Sequence, residues 1–170
     1  YSAPLPGRGL LVTSRQEPAP GPSPRPHASS ELGIPPTEQG TSLLGPADLH
    51  LFNEGSHCRL YQKLGAHPQS VNGVAGTCFA VWAPGAVQVA VVGDFNQWNP
   101  SRHPLRPRES SGIWEGFLPG VGNGTVYKYH IVSAHQGYCV DKADPFAFRA
   151  ELPPRTASIV CDLAYNWHDE

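Results

Sequence analysis

Thr77-Cys78-Phe79-Ala80-Val81-Trp82-Ala83, then Pro84-Gly85, then Ala86-Val87-Gln88-Val89-Ala90-Val91-Val92-Gly93-Asp94 is the stretch that decides the fold. In its first half Phe79 and Val81 alternate against Ala80 and Trp82, the period of two that a strand with one buried face requires. Pro84-Gly85 stops the run, since proline lacks a donor and glycine favours a turn. Val87, Val89 and Val91 then share one face of a second strand that ends at Gly93-Asp94. Working outward, Ile113 to Leu118 reads as a strand closed by Pro119-Gly120. Thr125 to Val132 reads as another, with Tyr127, Tyr129 and Ile131 on one face and Lys128 and His130 on the other. Tyr138 to Val140 and Ala157 to Cys161 supply two shorter strands. Short strands separated by Gly, Pro and Asn turns predict an all-β immunoglobulin-like sandwich over residues 74–163. No repeat of propeller length is visible.

Ahead of this lies a different composition. Residues 1–46 hold ten of the nineteen prolines and, after Tyr1, no aromatic residue, so they can build no core. A disordered Pro-rich tail is expected there. Residues 47–73 read as a short helical lead-in. Asp48 can cap a turn carrying Leu49, Leu51 and Phe52, interrupted by Gly55. Ser56 can cap a second segment bearing Leu60, Tyr61 and Leu64 and ending at Gly65. This apolar stripe needs a partner, and the following sandwich is the obvious one. The chain has 170 residues, starts at Tyr1 and contains no Met, the expectation for a piece of a longer protein. Residues 164–170 are expected to begin a linker to an absent catalytic (β/α)8 barrel.

The composition excludes several classes. Net charge is −2 and the isoelectric point about 6.5, so nothing argues for nucleic acid or an anionic membrane. Arg102, Arg106 and Arg108 are interleaved with Pro104 and Pro107 and read as a solvated loop. No run approaches the roughly 18 apolar residues of a membrane span. The expectation is a soluble, cytoplasmic protein. Cys58, Cys78, Cys139 and Cys161 are widely spaced with no CxxC pair, so reduced thiols are expected and neither a metal nor another cofactor. No two of the eight histidines have ligand spacing on a convincing helix. Glycoside chemistry needs two carboxylates about 5–5.5 Å apart for a retaining mechanism, and Asp94, Glu109, Asp141 and Asp144 lie in turns without partners. No catalytic residue is expected in this chain.

The informative segment is Gly93-Asp94-Phe95-Asn96-Gln97-Trp98-Asn99-Pro100. Phe95 is the natural core plug. Trp98, among Gln97, Asn99 and Pro100, is harder to bury, and an exposed indole is what sugar binding uses. The apolar C–H face of a glucose ring stacks on a flat aromatic while amides and ammonium groups bond its hydroxyls. Asn96, Asn99 and Lys128 can supply those polar contacts. The bland alternative, Trp98 folded over the sandwich edge beside an ordinary surface lysine, stays open on pattern alone. Trp82 and Trp114, inside strand runs, read as core or half-buried packing. Tyr138 is open between cross-strand packing and a second stacking surface.

Gly76-Thr77-Cys78-Phe79-Ala80-Val81-Trp82-Ala83-Pro84, followed by Val91-Val92-Gly93-Asp94-Phe95-Asn96-Gln97-Trp98, resembles the carbohydrate-binding module family 48 domain. That module precedes the catalytic barrel in glycogen branching enzymes and related amylase-superfamily enzymes of glycoside hydrolase family 13. Leu60-Tyr61-Gln62-Lys63-Leu64-Gly65-Ala66-His67-Pro68 is similar to the segment ahead of the module in bacterial branching enzymes. Lys142-Ala143-Asp144-Pro145-Phe146-Ala147-Phe148 and Pro154-Arg155-Thr156-Ala157-Ser158 resemble their exit from it. The resemblance covers residues 47–170. It implies glucan contact at Trp98 and Lys128, with Tyr138 in place of the second tryptophan of glycogen-targeting modules. It further implies α-1,4-glucan and an absent barrel as partners, and a parent enzyme that moves α-1,4-linked chains to 6-hydroxyls. A free-standing glycogen-binding or regulatory module is the other reading, and debranching and trehalose-releasing relatives share the sandwich. The two flanking motifs favour the branching enzyme.

Overall fold

A computed structural model describes residues 42–163. The expected disorder of residues 1–41 and the expected linker at 164–170 lie outside the described residues. The elements, in order, are helix α1 (Pro46–Asn53), a 3-10 turn at Leu60–Gln62, and strands β1 (Gly65–Val71), β2 (Val74–Trp82) and β3 (Ala86–Gly93). A second 3-10 turn (Asp94–Asn96) follows, then β4 (Arg106–Pro107), β5 (Ile113–Pro119), β6 (Val126–Ser133), β7 (Cys139–Lys142), β8 (Arg149–Ala150) and β9 (Ser158–Ile159).

The strands form two antiparallel sheets, one ordered β1-β2-β5-β4 and the other β3-β6-β9-β8, with β7 also paired to β6. Chain crossing from β2 to β3 makes the all-β sandwich that the alternation predicts. Its core lies between the sheets. Phe79 and Val81 meet Val89, Val91, Leu118, Tyr127, Tyr129 and Val160 there. Ring contacts lock the centre: Phe79 meets Tyr127 edge-to-face at 5.0 Å, and Tyr127 meets Tyr129 at 5.7 Å. The free edge of β3 is closed by the segment before β4. Val91 N–H donates to His103 O (3.0 Å), Leu105 N–H donates to Val89 O (2.8 Å), and Pro104 bridges Ala90. On the other sheet, both outermost strands carry a proline, Pro68 in β1 and Pro107 in β4.

The opposite face of the β2–β5 sheet is not solvated. Leu44, Leu49 and Leu64 bury against Ala80 and Ile113, with Phe52, Leu60 and Phe146 packed beside them. Each buried leucine stabilises by about 1.5–3 kcal/mol relative to exposure. The lead-in therefore finds the partner its apolar stripe needs.

Several local expectations are corrected. Order begins before the expected end of the tail, because Leu44 is buried and Ser42 Oγ donates to Glu115 Oε2 (2.7 Å). Gly45, not Asp48, is the helix N-cap residue. Asp48 sits one turn in and its Oδ2 accepts from Gly45 N (2.9 Å), while His57 and Lys63 hold the same carboxylate. Ser56 does not cap the second segment, which is only a 3-10 turn with Arg59 at its N-cap; its N–H donates instead to Leu51 O (2.9 Å) at the end of α1. Residues 65–71, expected in the helical lead-in, are β1, paired along its length with β2. Arg108 is not part of a free loop: it pairs with Glu115 at 3.1 Å and donates to Leu44 O. Trp114 is buried and its Nε1 donates to Ala83 O (3.1 Å), but Trp82 is 54% exposed.

The two flanking motifs, nearly eighty residues apart, meet in space. Gly65 has φ +99°, and a Cβ there would lie 3.2 Å from Phe146 Cβ and Phe146 O, so only glycine fits. The His67 ring bonds Leu64 O (2.9 Å) and meets Phe148 edge-on at 6.2 Å. Between them Asp144, read from sequence as a turn residue, is buried. Its Oδ2 accepts from Tyr127 OH (2.6 Å) and Tyr129 OH (3.3 Å), its Oδ1 from Phe146 N (2.8 Å), and its own N–H donates to Ser158 Oγ (2.8 Å). Burial pushes the Asp144 carboxyl above its ordinary range, against the pull of these donors.

Candidate glucan-binding site

The turn after β3 is built from the inside. Gly93 passes so close to β6 that a Cβ would collide with Val126 O and the Phe95 ring. Asn96 braces the loop it opens. Its Oδ1 accepts from Gly93 N (3.0 Å), and its Nδ2 donates to Val91 O and His103 Nδ1 (both 2.9 Å). Asn96 is thus buried with both ends of its amide engaged, which corrects its placement among sugar-facing residues. The physical reason is geometric: one short amide can satisfy strand-end groups that the ladder leaves unpaired. Phe95 packs against the core as expected.

With the loop so braced, Gln97 and Trp98 both adopt left-handed backbone, φ 58° and 57°. Such angles are uncommon for residues other than glycine, and clusters of them point to function. Trp98 N–H donates to Gly93 O (2.9 Å), and indole Nε1–H donates to Asp94 Oδ1 (2.8 Å). The ring is therefore tethered at its polar edge while 39% of the residue stays exposed. Asn99 is exposed, and its Oδ1 accepts from Ser101 N (2.9 Å).

Lys128 stands opposite Val92, one position from the Gly93–Tyr127 pair, so its backbone lies in the row next to the one that anchors Trp98. Its neighbours Tyr127 and Tyr129 point into the core. Lys128 Nζ donates to Thr156 Oγ1 (2.9 Å). Thr156, which sequence reasoning did not single out, lies 28 positions away in the Pro154-to-Ser158 motif, and no local signal joins the two. Asp94 was missed as well, although its four-residue spacing from Trp98 was visible.

Tyr138 does not join this group. Ser133 N–H donates to Tyr138 O (2.8 Å), at the far end of β6, five residues or about 17 Å from Lys128. Cys139 opposes Val132, so alternation places Tyr138 and Val140 on the side of Ile131 and Ser133, away from Lys128. Tyr138 is 64% exposed and lines a different groove, with Tyr129 and Ile131. On Lys128's own face, the cross-strand position belongs to Asp141, whose Oδ1 is 2.6 Å from His130 Nδ1.

Trp98 with Asn99 and, on the neighbouring strand, Lys128 with Thr156 carry an indole, an amide, an ammonium group and a hydroxyl, the kinds of group that bond a neutral polyhydroxylated ring. Among the described residues no cluster of three His, Cys, Asp or Glu converges as a metal site, and no helix is long and apolar enough to cross a membrane.

Comparison with known proteins gives this geometry a context. The chain is 53% identical over 128 residues to the 1,4-alpha-glucan branching enzyme GlgB of Synechococcus sp. (strain JA-3-3Ab), a match covering 75% of this chain and 16% of that protein. It is 52% identical over 147 residues to the 1,4-alpha-glucan branching enzyme GlgB 2 of Xanthomonas oryzae pv. oryzae (strain MAFF 311018), covering 82% and 20%. The chain therefore spans a fifth or less of the length of these relatives. Among solved structures, ligand-free PulA from Klebsiella pneumoniae superposes with TM-score 0.48 at 25% identity, covering 61% of this chain and 10% of that one. The family described as Carbohydrate-binding module 48 (Isoamylase N-terminal domain) matches residues 63–147, β1 through the Asp144 turn. This chain belongs to the carbohydrate-binding module 48 family.

Proposed function

We propose that this chain is the N-terminal, glucan-binding part of a glycogen branching enzyme, and that it holds α-1,4-glucan on Trp98 with Lys128, Thr156 and Asn99 beside it. The observation that carries the reading is the tethered, left-handed and exposed Trp98. A protein that only needed to plug this turn would bury the ring or replace it. Asn96 serves the site by shaping the turn and does not touch sugar. The whole enzyme would cut an α-1,4-glucan and join the freed chain to a 6-hydroxyl, in the cytoplasm, on a catalytic barrel that contacts this module. Asp144 is buried under two tyrosines and Asp94 is bound to an indole, so among the described residues neither stands free for a carboxylate pair of that chemistry. Nucleic acid and membranes are not partners in this reading.

The free-standing module is the second reading. Identity to branching enzymes over 128 or more residues, well beyond the 63–147 module, favours the enzyme part. Calorimetric titration with maltoheptaose tests the site. Trp98→Ala should weaken binding about two- to tenfold, the loss of one aromatic stack, with urea stability unchanged. Unchanged affinity in the variant would remove Trp98 from the site. An iodine-stain assay should find this chain inactive on amylose, and activity above a heat-killed control would refute the binding-part reading.

A further inference from the structure

The β6–β7 hairpin carries the second conspicuous aromatic of the surface away from Trp98, to a groove of about 570 Å³ at the end of the sandwich. One wall is Trp82, where β2 leaves its sheet; the other is Tyr138, at the tip of the hairpin. Both residues are more than half exposed. Large apolar side chains left in water inside a concavity are the informative kind of exposure.

Both walls are held in place. Phe52 of α1 meets the Trp82 ring edge-on at 6.0 Å. Gly112 (φ +75°) lets Trp82 and Pro84 approach; a Cβ there would lie 3.2 Å from Trp82 Nε1 and 2.8 Å from Pro84. On the other side, Gln136 and Gly137 are left-handed (φ 55° and 66°), and Ser133 N–H to Tyr138 O closes the hairpin under the tyrosine. Ala134 N–H donates to Gly85 O (2.9 Å) and ties the two walls together. Polar groups stand among the aromatics. Ser133 Oγ accepts from His135 N (3.1 Å), which leaves its proton for a ligand oxygen. Lys142 also lines the groove and is exposed.

We propose that this groove is a second sugar-binding site, taking a short run of α-1,4-linked glucose along Trp82 and Tyr138, on the opposite side of the β3–β6 sheet from Lys128. The inference rests on the glucan reading above. Two flat rings match the apolar faces of pyranose units, and the Ser133 hydroxyl and Lys142 ammonium match their hydroxyls. The volume falls within the roughly 300–1,000 Å³ of small-ligand clefts. Single exposed aromatic residues on two walls, with polar groups between them, suit a ribbon-like polysaccharide better than the flat apolar core of a protein interface. A module with two separated sites would hold one branched polymer by two chains.

The test is an amide NMR titration of the 170-residue chain with maltoheptaose, repeated for Trp98→Ala and Tyr138→Ala. Shifts at Gly85, Ser133 and Lys142 that survive in Trp98→Ala and weaken two- to tenfold in Tyr138→Ala are the expected result. Tyr138 is the variant of choice because Trp82 also supports Phe52, so Trp82→Ala serves only as a control whose fold is checked first. Shifts confined to residues around Trp98, Lys128 and Thr156, unchanged by Tyr138→Ala, would overturn the second site and leave the first standing. Groove shifts without any at Trp98 would support the groove and remove the first site. No shifts anywhere would overturn both. Hydrogen-exchange protection of residues 82–86 and 133–138 in a full-length branching enzyme, with no groove response to maltoheptaose in this chain, would give the groove to a neighbouring domain and overturn the proposal.

Discussion

Two polar clusters sit at opposite extremes of this module. Around Asp144, two phenols, a backbone amide and a serine hydroxyl are all engaged inside the core. Around Trp98, the indole is tethered to Asp94 and the lysine to Thr156, but the indole keeps an exposed ring face and the ammonium group keeps spare donors. The first cluster joins β6, β9 and the segment after β7 into one body. The second rests on that body without stabilising it. The contrast teaches where to look for function: polar groups that protein partners satisfy in full are structural, and those satisfied in part are available to a ligand.

Removing the centre of the buried cluster is the severest way to break the contrast. Asp144→Ala strands two phenolic donors and the Phe146 amide, and should cost roughly 3 kcal/mol or more in urea unfolding. If that variant were as stable as the wild type, the division between clusters would not hold. Asn96→Ala probes the boundary, since Asn96 lies beneath the Trp98 turn yet is buried. It should cost about 1–3 kcal/mol by leaving Gly93 N and Val91 O unpaired, and maltoheptaose binding should fall with it as the turn loosens. Asp94→Ala works from the other side. It frees the indole without touching the core, so affinity should drop about two- to tenfold through the entropy of an unpinned ring, while the urea midpoint stays in place. The smallest effect concerns acid. The His57 bond, then the Gly45 amide and Lys63, hold the Asp48 carboxyl down at about 2, from 3.8. A lowered folded-state value means stability that is present above pH 3.8 and lost as pH falls through 2. Asp48→Asn should flatten that stretch of an acid-unfolding curve measured by circular dichroism.

The sandwich was legible because its long strands alternate cleanly, as Phe79 and Val81 or Tyr127, Tyr129 and Ile131 show. Strand β1 was not, since Gly65, Pro68 and Gln69 give no period, and only its pairing with β2 makes it a strand. Trp98 could be named from residue type and its turn neighbours and Lys128 from strand parity, and Lys128 does alternate with the buried Tyr127 and Tyr129. Asn96 could not be placed, because an asparagine facing water and one folded inward as a brace look alike in sequence. Tyr138 was left open for a different reason: its face depends on hairpin length and register, and a one-residue change in either reverses it. Thr156 and Asp144 draw their roles from partners more than a dozen positions away, beyond the reach of any local pattern.

The prolines at the sheet margins have a bearing on crowding. A polysaccharide displays many equivalent chains, so copies of a protein that grips it would be gathered at high local concentration, strand margin facing strand margin. Unpaired strand margins are templates for adding foreign strands. Here Pro68 and Pro107 withhold a donor from the outermost strands of one sheet, and Pro104 sits within the segment that covers β3. Molecules packed along one polymer would thus be denied the contact by which crowded β-proteins fuse into fibrils, and each would remain free to let go.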